Sequence, residues 1–365
     1  MSNHTVEFTL KQHTPIIHFQ SEQRGATLRA TELKPKLDRF ITKKLKDTDL
    51  ALYEKFEDII NDPQVFPEDA TGSNVYKISV ELTGTSLVST PKAYVNKKKE
   101  LDKSAYQAPY FADASKSILA TGDIKVTIKS FNITLLELLK HAMDYVLVYE
   151  NFGTRQSKGF GSFLRDDLTE ETFKKVLKNH QNPIFVLGSY RDYKQAFLTI
   201  DTFYKELKMG INKPYKKSLI FKYMCNVQHL GWEKKFLKNK FPEIVHGDHA
   251  PVRCEVQEDD HFRYIRAMLG LAEHNEYRPS SGKKQIKIAS NERDAIQRFK
   301  SPITFKVMQN TIYVTFDDSY TELLNRSFTF SLQGKKESLM TPETFDMTDF
   351  LRFVCKETSL KELTL

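Results

Sequence analysis

Three observations on this 365-residue chain predict an α+β fold. Strand and helix patterns run β-α-β and then β-α-β through residues 1–168, the split order that folds into a four-stranded antiparallel sheet backed by two helices. Residues 169–282 change character and read as a mainly helical insertion. From residue 283 the pattern is β again, and Ser301-Pro302-Ile303 echoes Thr14-Pro15-Ile16 near the start. The architecture expected is therefore two ferredoxin-like (RRM-like) domains, 1–168 and a degenerate 283–365, with 169–282 inserted and the apolar strand at 183–188 available to the second.

The first strand, within residues 5–19, alternates apolar and polar positions at Val6, Phe8 and Leu10 and is interrupted at Pro15. A helix follows with Pro35 in its first turn and Leu37, Phe40, Ile41 and Leu45 on one face; Lys36, Arg39, Lys43 and Lys46 lie opposite. Clean period-two alternation marks a strand at 75–82, and Ile124 to Lys129 marks another. Between them, residues 91–117 interleave Lys92, Lys97, Lys98, Lys99 and Lys103 with Tyr94, Tyr106, Tyr110 and Phe111, a composition suited to following a phosphate backbone and stacking on unpaired bases. A helix over 135–149 and a short aromatic strand over 159–164 complete the unit. Thr169 begins the insertion, with acids in the first helical turn, and three long helices are expected at 193–209, 215–240 and 259–273. The middle one and its approach carry ten lysines against Glu206 and Glu233, a pattern that suits tracking phosphates, docking an acidic partner or simply solubility. Strands at 298–307 and 311–316 flank Gln309-Asn310 as a hairpin; a strand at 327–332 and a helix at 345–356 close the chain.

Composition bounds the partner. A formal charge of +8 and a pI near 9.0 favour a polyanion such as nucleic acid. No apolar run reaches the roughly 18 residues a membrane span needs, and the N-terminus carries no targeting pattern, so the expected location is cytoplasmic and no membrane partner is expected. Three cysteines, Cys225, Cys254 and Cys355, suit a reducing compartment.

The richest stretch is Asn151-Phe152-Gly153-Thr154-Arg155-Gln156-Ser157-Lys158-Gly159-Phe160-Gly161-Ser162-Phe163. Its three glycines permit sharp turns and close backbone approach, and Arg155 and Lys158 place cations beside exposed amides. It follows a helix and lacks the Walker order, which excludes the usual mononucleotide and dinucleotide loops.

This loop, with His13-Thr14-Pro15-Ile16-Ile17, Gly25-Ala26-Thr27-Leu28-Arg29 and Lys300-Ser301-Pro302-Ile303, resembles the RAMP superfamily of CRISPR-associated proteins, and within it the first-named subunit of the type III-B (Cmr) effector complex. The resemblance implies two ferredoxin-like domains, a non-catalytic role in antiviral defence, and a CRISPR RNA backbone held near the 3′ end of the guide. Its expected partners are that RNA, target RNA and other Cmr-type RAMP subunits, with no cofactor. It assigns RNA contact to Gly153, Thr154, Arg155, Gln156, Ser157, Lys158, Gly159, Phe160 and Gly161, with Arg29, Lys34 and Lys36 lining the same groove. Arg29-Ala30-Thr31-Glu32 departs from the arginine beside bulky or glycine residues that many relatives carry.

Two other chemistries are compatible with the sequence. Some RAMP relatives are metal-independent endoribonucleases; here His18, then His13, would be the general base acting on a 2′-hydroxyl, and neither has a visible partner in sequence. A zinc site could draw on Cys225, His229, His246, His249 and Cys254, because Cys225 and His229 would share a helical face; the spacing is not that of a standard finger, and no metal is expected.

Overall fold

Strand β1 (Thr5–Gln12) turns Phe8 and Leu10 into the core and Glu7 and Thr9 outward. Helix α1 (Ala30–Lys43) follows, burying Leu33, Leu37, Phe40 and Ile41, the stripe a 3.6-residue period predicts. Then come β2 (Tyr76–Leu82), β3 (Ile124–Ser130) and α2 (Ile133–Tyr149), whose N-terminus is capped by the Asn132 side chain accepting the Leu135 N–H at 3.0 Å. Strand β4 (Phe163–Arg165) closes the set. The four strands pair antiparallel in the order β2-β3-β1-β4, that is 2-3-1-4, the neighbours a split β-α-β-β-α-β unit requires. Register puts Val80, Val126 and Phe8 side by side on the covered face, and Ser79, Thr127 and Glu7 on the other.

The computed structural model describes residues 4–17, 27–67, 75–83, 87–89, 118–120, 124–212, 214–245, 261–277, 279, 282–291 and 298–364. The aromatic and lysine-rich stretch 91–117 lies outside them.

After β4 the elements are α3 (Glu170–Lys178), β5 (Phe185–Ser189), α4 (Tyr193–Lys208), α5 (Leu219–Asn226), α6 (Glu233–Lys240), β6 (His274–Tyr277), β7 (Lys284–Ser290), β8 (Ile303–Met308), β9 (Thr311–Phe316), β10 (Ser327–Leu332), β11 (Lys335–Met340), α7 (Met347–Glu357) and β12 (Lys361–Glu362). A second sheet has the order β8-β9-β5-β12. Read along the chain, β5, α4, β8, β9, α7 and β12 again give β-α-β-β-α-β, and the sheet order is again 2-3-1-4. Strand β10, expected beside β8 and β9, instead joins a third antiparallel sheet, β6-β7-β10-β11.

The chain divides by contact into two units. One gathers Met1–Asp201, Thr304–Thr315 and Lys361–Leu365, so the β8-β9 hairpin and β12 complete its second sheet. The other contains Thr202–Ile303 and Phe316–Leu360. In that second unit, the expected helix over 215–240 is broken. Ser218 is extended before α5, His229 takes a φ of +52°, and Gly231-Trp232 pairs as a short parallel strand with Phe262-Arg263 before α6 begins. The expected helix over 259–273 is likewise replaced by a 3₁₀ segment, Ile265–Leu269, ended by Gly270 at φ +101°.

Candidate nucleic-acid interface

The glycine loop folds back on itself at the end of α2. The Phe152 N–H donates to Gly161 O at 3.0 Å, the Gly161 N–H to Pro15 O at 2.9 Å and the Thr154 N–H to Ile17 O at 2.8 Å. Glycine is required where this closure is tightest. Gly161 has a φ of +69°, and a Cβ there would lie 1.9 Å from Phe152 O; Gly153 has a φ of +80°, and its Cβ would meet Ile17 O at 2.6 Å. The buried Thr14 hydroxyl ties the two strands of the closure, donating to Gly159 O at 2.6 Å and accepting the Ser162 N–H at 3.0 Å.

The loop is fixed from beneath by a polar network. Asn151 donates from Nδ2 to Gln156 O at 2.7 Å and to Phe305 O at 2.8 Å. Lys36 Nζ donates to Asn151 O at 2.7 Å, Gln156 Oε1 at 2.9 Å and Glu150 Oε2 at 3.1 Å. Lys306, 1% exposed in β8, donates to Glu150 O at 2.6 Å, and burial drives its pKa well below the usual lysine range. Glu32, in the first turn of α1, accepts the Gly153 N–H at 2.7 Å and Gln156 Nε2 at 3.0 Å on the same oxygen. These contacts bring the N-terminal turn of α1 against Gly153 and Gln156. The residue at the cap position, Arg29, gives that turn no side-chain capping hydrogen bond.

The expected residues divide by position. Arg29 is exposed and Arg155 is half-buried at φ +59°, its guanidinium pKa pulled down by burial. Thr154, Gln156 and Ser157 are half-buried on the same loop, and Ser157 O accepts the Phe305 N–H at 3.2 Å. Lys158 turns inward, its ammonium buried 5.9 Å from the Phe305 ring. Phe160 is fully buried and stacks on Phe197 at 4.0 Å, so its ring belongs to the core. Lys36 works as a strut under the loop. Lys34 points elsewhere on α1, 3.4 Å over the Tyr76 ring and 3.8 Å from Asp38. The open-nest picture is corrected accordingly: the amides of Phe152, Gly153, Thr154, Lys158, Gly159 and Gly161 already donate to protein acceptors. Sequence reasoning missed Glu32, Thr14, Asn151 and Lys306 as parts of the site.

Of the two candidate catalytic histidines, His18 lies outside the described residues. The His13 imidazole is held down to about 4 by burial and by Lys306 and Lys11, which leaves it neutral but weakly basic, far from the near-neutral pKa a general base needs. For zinc, α5 ends at Asn226, so Cys225 and the exposed His229 do not share a helical face. His246, His249 and Cys254 lie outside the described residues, and no group of three metal-ligating side chains occurs among the described ones.

The closed glycine loop beside the first helix of an α+β unit is the feature on which the sequence resembles the RAMP proteins. Family models are more specific: the Cmr1 N-terminal domain model matches residues 3–211 and the Cmr1 C-terminal domain model matches residues 215–364. The chain belongs to the Cmr1 family. Among solved structures it is similar to Cmr1 from Pyrococcus furiosus in its apo form, at 13% identity over 98% of each chain and a TM-score of 0.46. It is also similar to a chain of the type III-B Cmr-beta complex bound to cognate target RNA, at 11% identity, covering 87% of this chain and 97% of that one, with a TM-score of 0.40. No curated protein matches. No helix among the described residues is long and apolar enough to cross a membrane.

Proposed function

We propose that the chain is a non-catalytic subunit of a type III-B effector ribonucleoprotein that holds the CRISPR RNA backbone near the 3′ end of the guide, alongside other Cmr-type RAMP subunits and target RNA. The observation that carries this reading is the hydrogen-bonded apposition of the Gly153–Gly161 loop to the first turn of α1, with Arg29 at the cap position of that helix and Arg155 within the loop. A helix N-terminus and adjacent arginines favour phosphate, and a loop closed in advance pays little ordering cost on binding. Family membership supports the setting, and the weak basicity of His13 disfavours the second of the two candidate bases.

Binding of the full chain to a labelled single-stranded RNA, measured across a salt series, tests this. Arg29→Ala with Arg155→Ala is expected to weaken binding equally for unrelated sequences and to reduce the slope of log K against log salt by about 1.4, at roughly 0.7 per cation on a single strand. Salt-insensitive binding, or a double variant with wild-type affinity and slope, would sink the reading.

A further inference from the structure

Glu32 is an anion lodged where the proposed function needs one to bind. Its Oε1 takes the Gly153 N–H at 2.7 Å and Gln156 Nε2 at 3.0 Å, two donors converging on one oxygen. An acid at the third helical position ordinarily reaches back to the N–H of its own cap residue. Glu32 instead reaches 121 residues along the chain to the loop. Gln156 is oriented for this: Lys36 donates to its Oε1 at 2.9 Å, while its Nε2 also donates to Gly153 O at 2.8 Å. Carboxylate and phosphate oxygens are the same kind of acceptor for such donors, each able to take charge-assisted hydrogen bonds from amides. The carboxylate does not rest comfortably there. Burial raises its pKa, Glu150 adds to the rise, and the Gly153 amide and Lys36 oppose it.

We propose that the Gly153 amide and the Gln156 carboxamide form a subsite for one phosphate oxygen of a bound RNA backbone, and that the Glu32 carboxylate occupies it as an internal stand-in until RNA displaces it. This rests on the RNA-holding reading above and adds a competitor to it. Without RNA, Glu32 keeps both donors satisfied and the loop closed. With RNA, a phosphate oxygen takes the donors and the carboxylate swings out to water, recovering hydration. Glu32 thus sets the affinity threshold of the site and discriminates against ligands without a phosphodiester to exchange for it.

The test uses the full chain and a fluorescein-labelled oligouridylate, comparing wild type with Glu32→Gln, Gln156→Ala and Arg155→Ala. Glu32→Gln keeps an acceptor for Gly153 and removes the charge; it is expected to bind about five-fold more tightly, the scale of one unit charge near a phosphate in water. Gln156→Ala, which removes a donor shared by Glu32 and the phosphate, is expected to bind more weakly. If Glu32→Gln binds equally or less tightly while Arg155→Ala still weakens binding, Glu32 is only a strut, and the stand-in is overturned while the RNA reading survives. Should Glu32→Gln not fold, unchanged affinity in Gln156→Ala overturns the subsite. Absence of oligouridylate binding by the wild-type chain overturns the RNA reading and this inference with it.

Discussion

Gly161 is where the site has least room for change. Its φ of +69° costs an L-residue strain, and the added Cβ would meet the Phe152 backbone at 1.9 Å, against an oxygen that cannot rotate away. Gly161→Ala is expected to lower stability by about 2–5 kcal/mol, read from the denaturant midpoint, because the loop must open to accept it. A variant within about 0.5 kcal/mol of wild type would show that the closure is not tight. Such glycines are legible in sequence because nothing else fits them, and three of them within nine residues mark the loop. Glu32 was not, since an acid in a first helical turn already has an explanation in the helix dipole. Lys306 was hidden for another reason: in β8 it alternates with Phe305 and Val307 and reads as the solvent face, yet it is buried on Glu150 O. Lys36 reads as a phosphate ligand from its charge, and only tertiary contact shows that it braces the loop.

The elements with strong local patterns formed where expected. Strands β2 and β3, helix α2 and the β8-β9 hairpin carry periodicity that neighbours do not override. In that hairpin Gln309 and Asn310 have φ of +47° and +60°, the left-handed pair of a type I′ turn, and Asn310 O accepts the Tyr190 N–H at 2.9 Å. Glutamine is a poor residue for that conformation, whereas asparagine visits it readily. Gln309→Asn is therefore expected to stabilise the chain by about 0.5–1 kcal/mol, seen as a raised melting temperature, and a fall would mean that the glutamine side chain makes a contact worth more than the strain. The helical reading of 215–240 failed because charge and apolar spacing continue across Gly231 although the backbone does not. Its lysines lie along rings: Lys234 is 5.1 Å from Trp232, Lys235 5.7 Å from Phe262 and Lys240 5.4 Å from Phe236. Glu233, counted in sequence against those lysines, is fully buried and instead accepts from Trp232 Nε1, the Ile265 N–H and Arg266.

The whole molecule repeats one connection order, and the second instance is hard to read because its parts are far apart. Strand β5 finds β9 more than a hundred residues later and β12 at the far end, with Lys361 opposite Val186 and the Leu363 N–H on Ile184 O at 2.8 Å. Local periodicity records that β5 is a strand, not which strand it pairs with, and long-range pairing is the part of a fold that propensity does not encode. The glycine loop depends on this pairing as well. Asn151 reaches Phe305 O, Ser157 O accepts the Phe305 N–H, and Lys306 holds Glu150 O, so the hairpin β8-β9 is the floor of the loop. Residues 3–211, the stretch matched by the N-terminal family model, contain every residue assigned to RNA contact yet lack that floor and both neighbours of β5. Produced alone, this fragment is expected to melt without a cooperative transition and to exchange the Gly159 and Gly161 amides at rates near those of an open loop, while the full chain protects them. A fragment that melts cooperatively with both amides protected would show that the loop is held by the first sheet alone, and the buried Lys306 and Phe305 contacts would then be packing without consequence for the site.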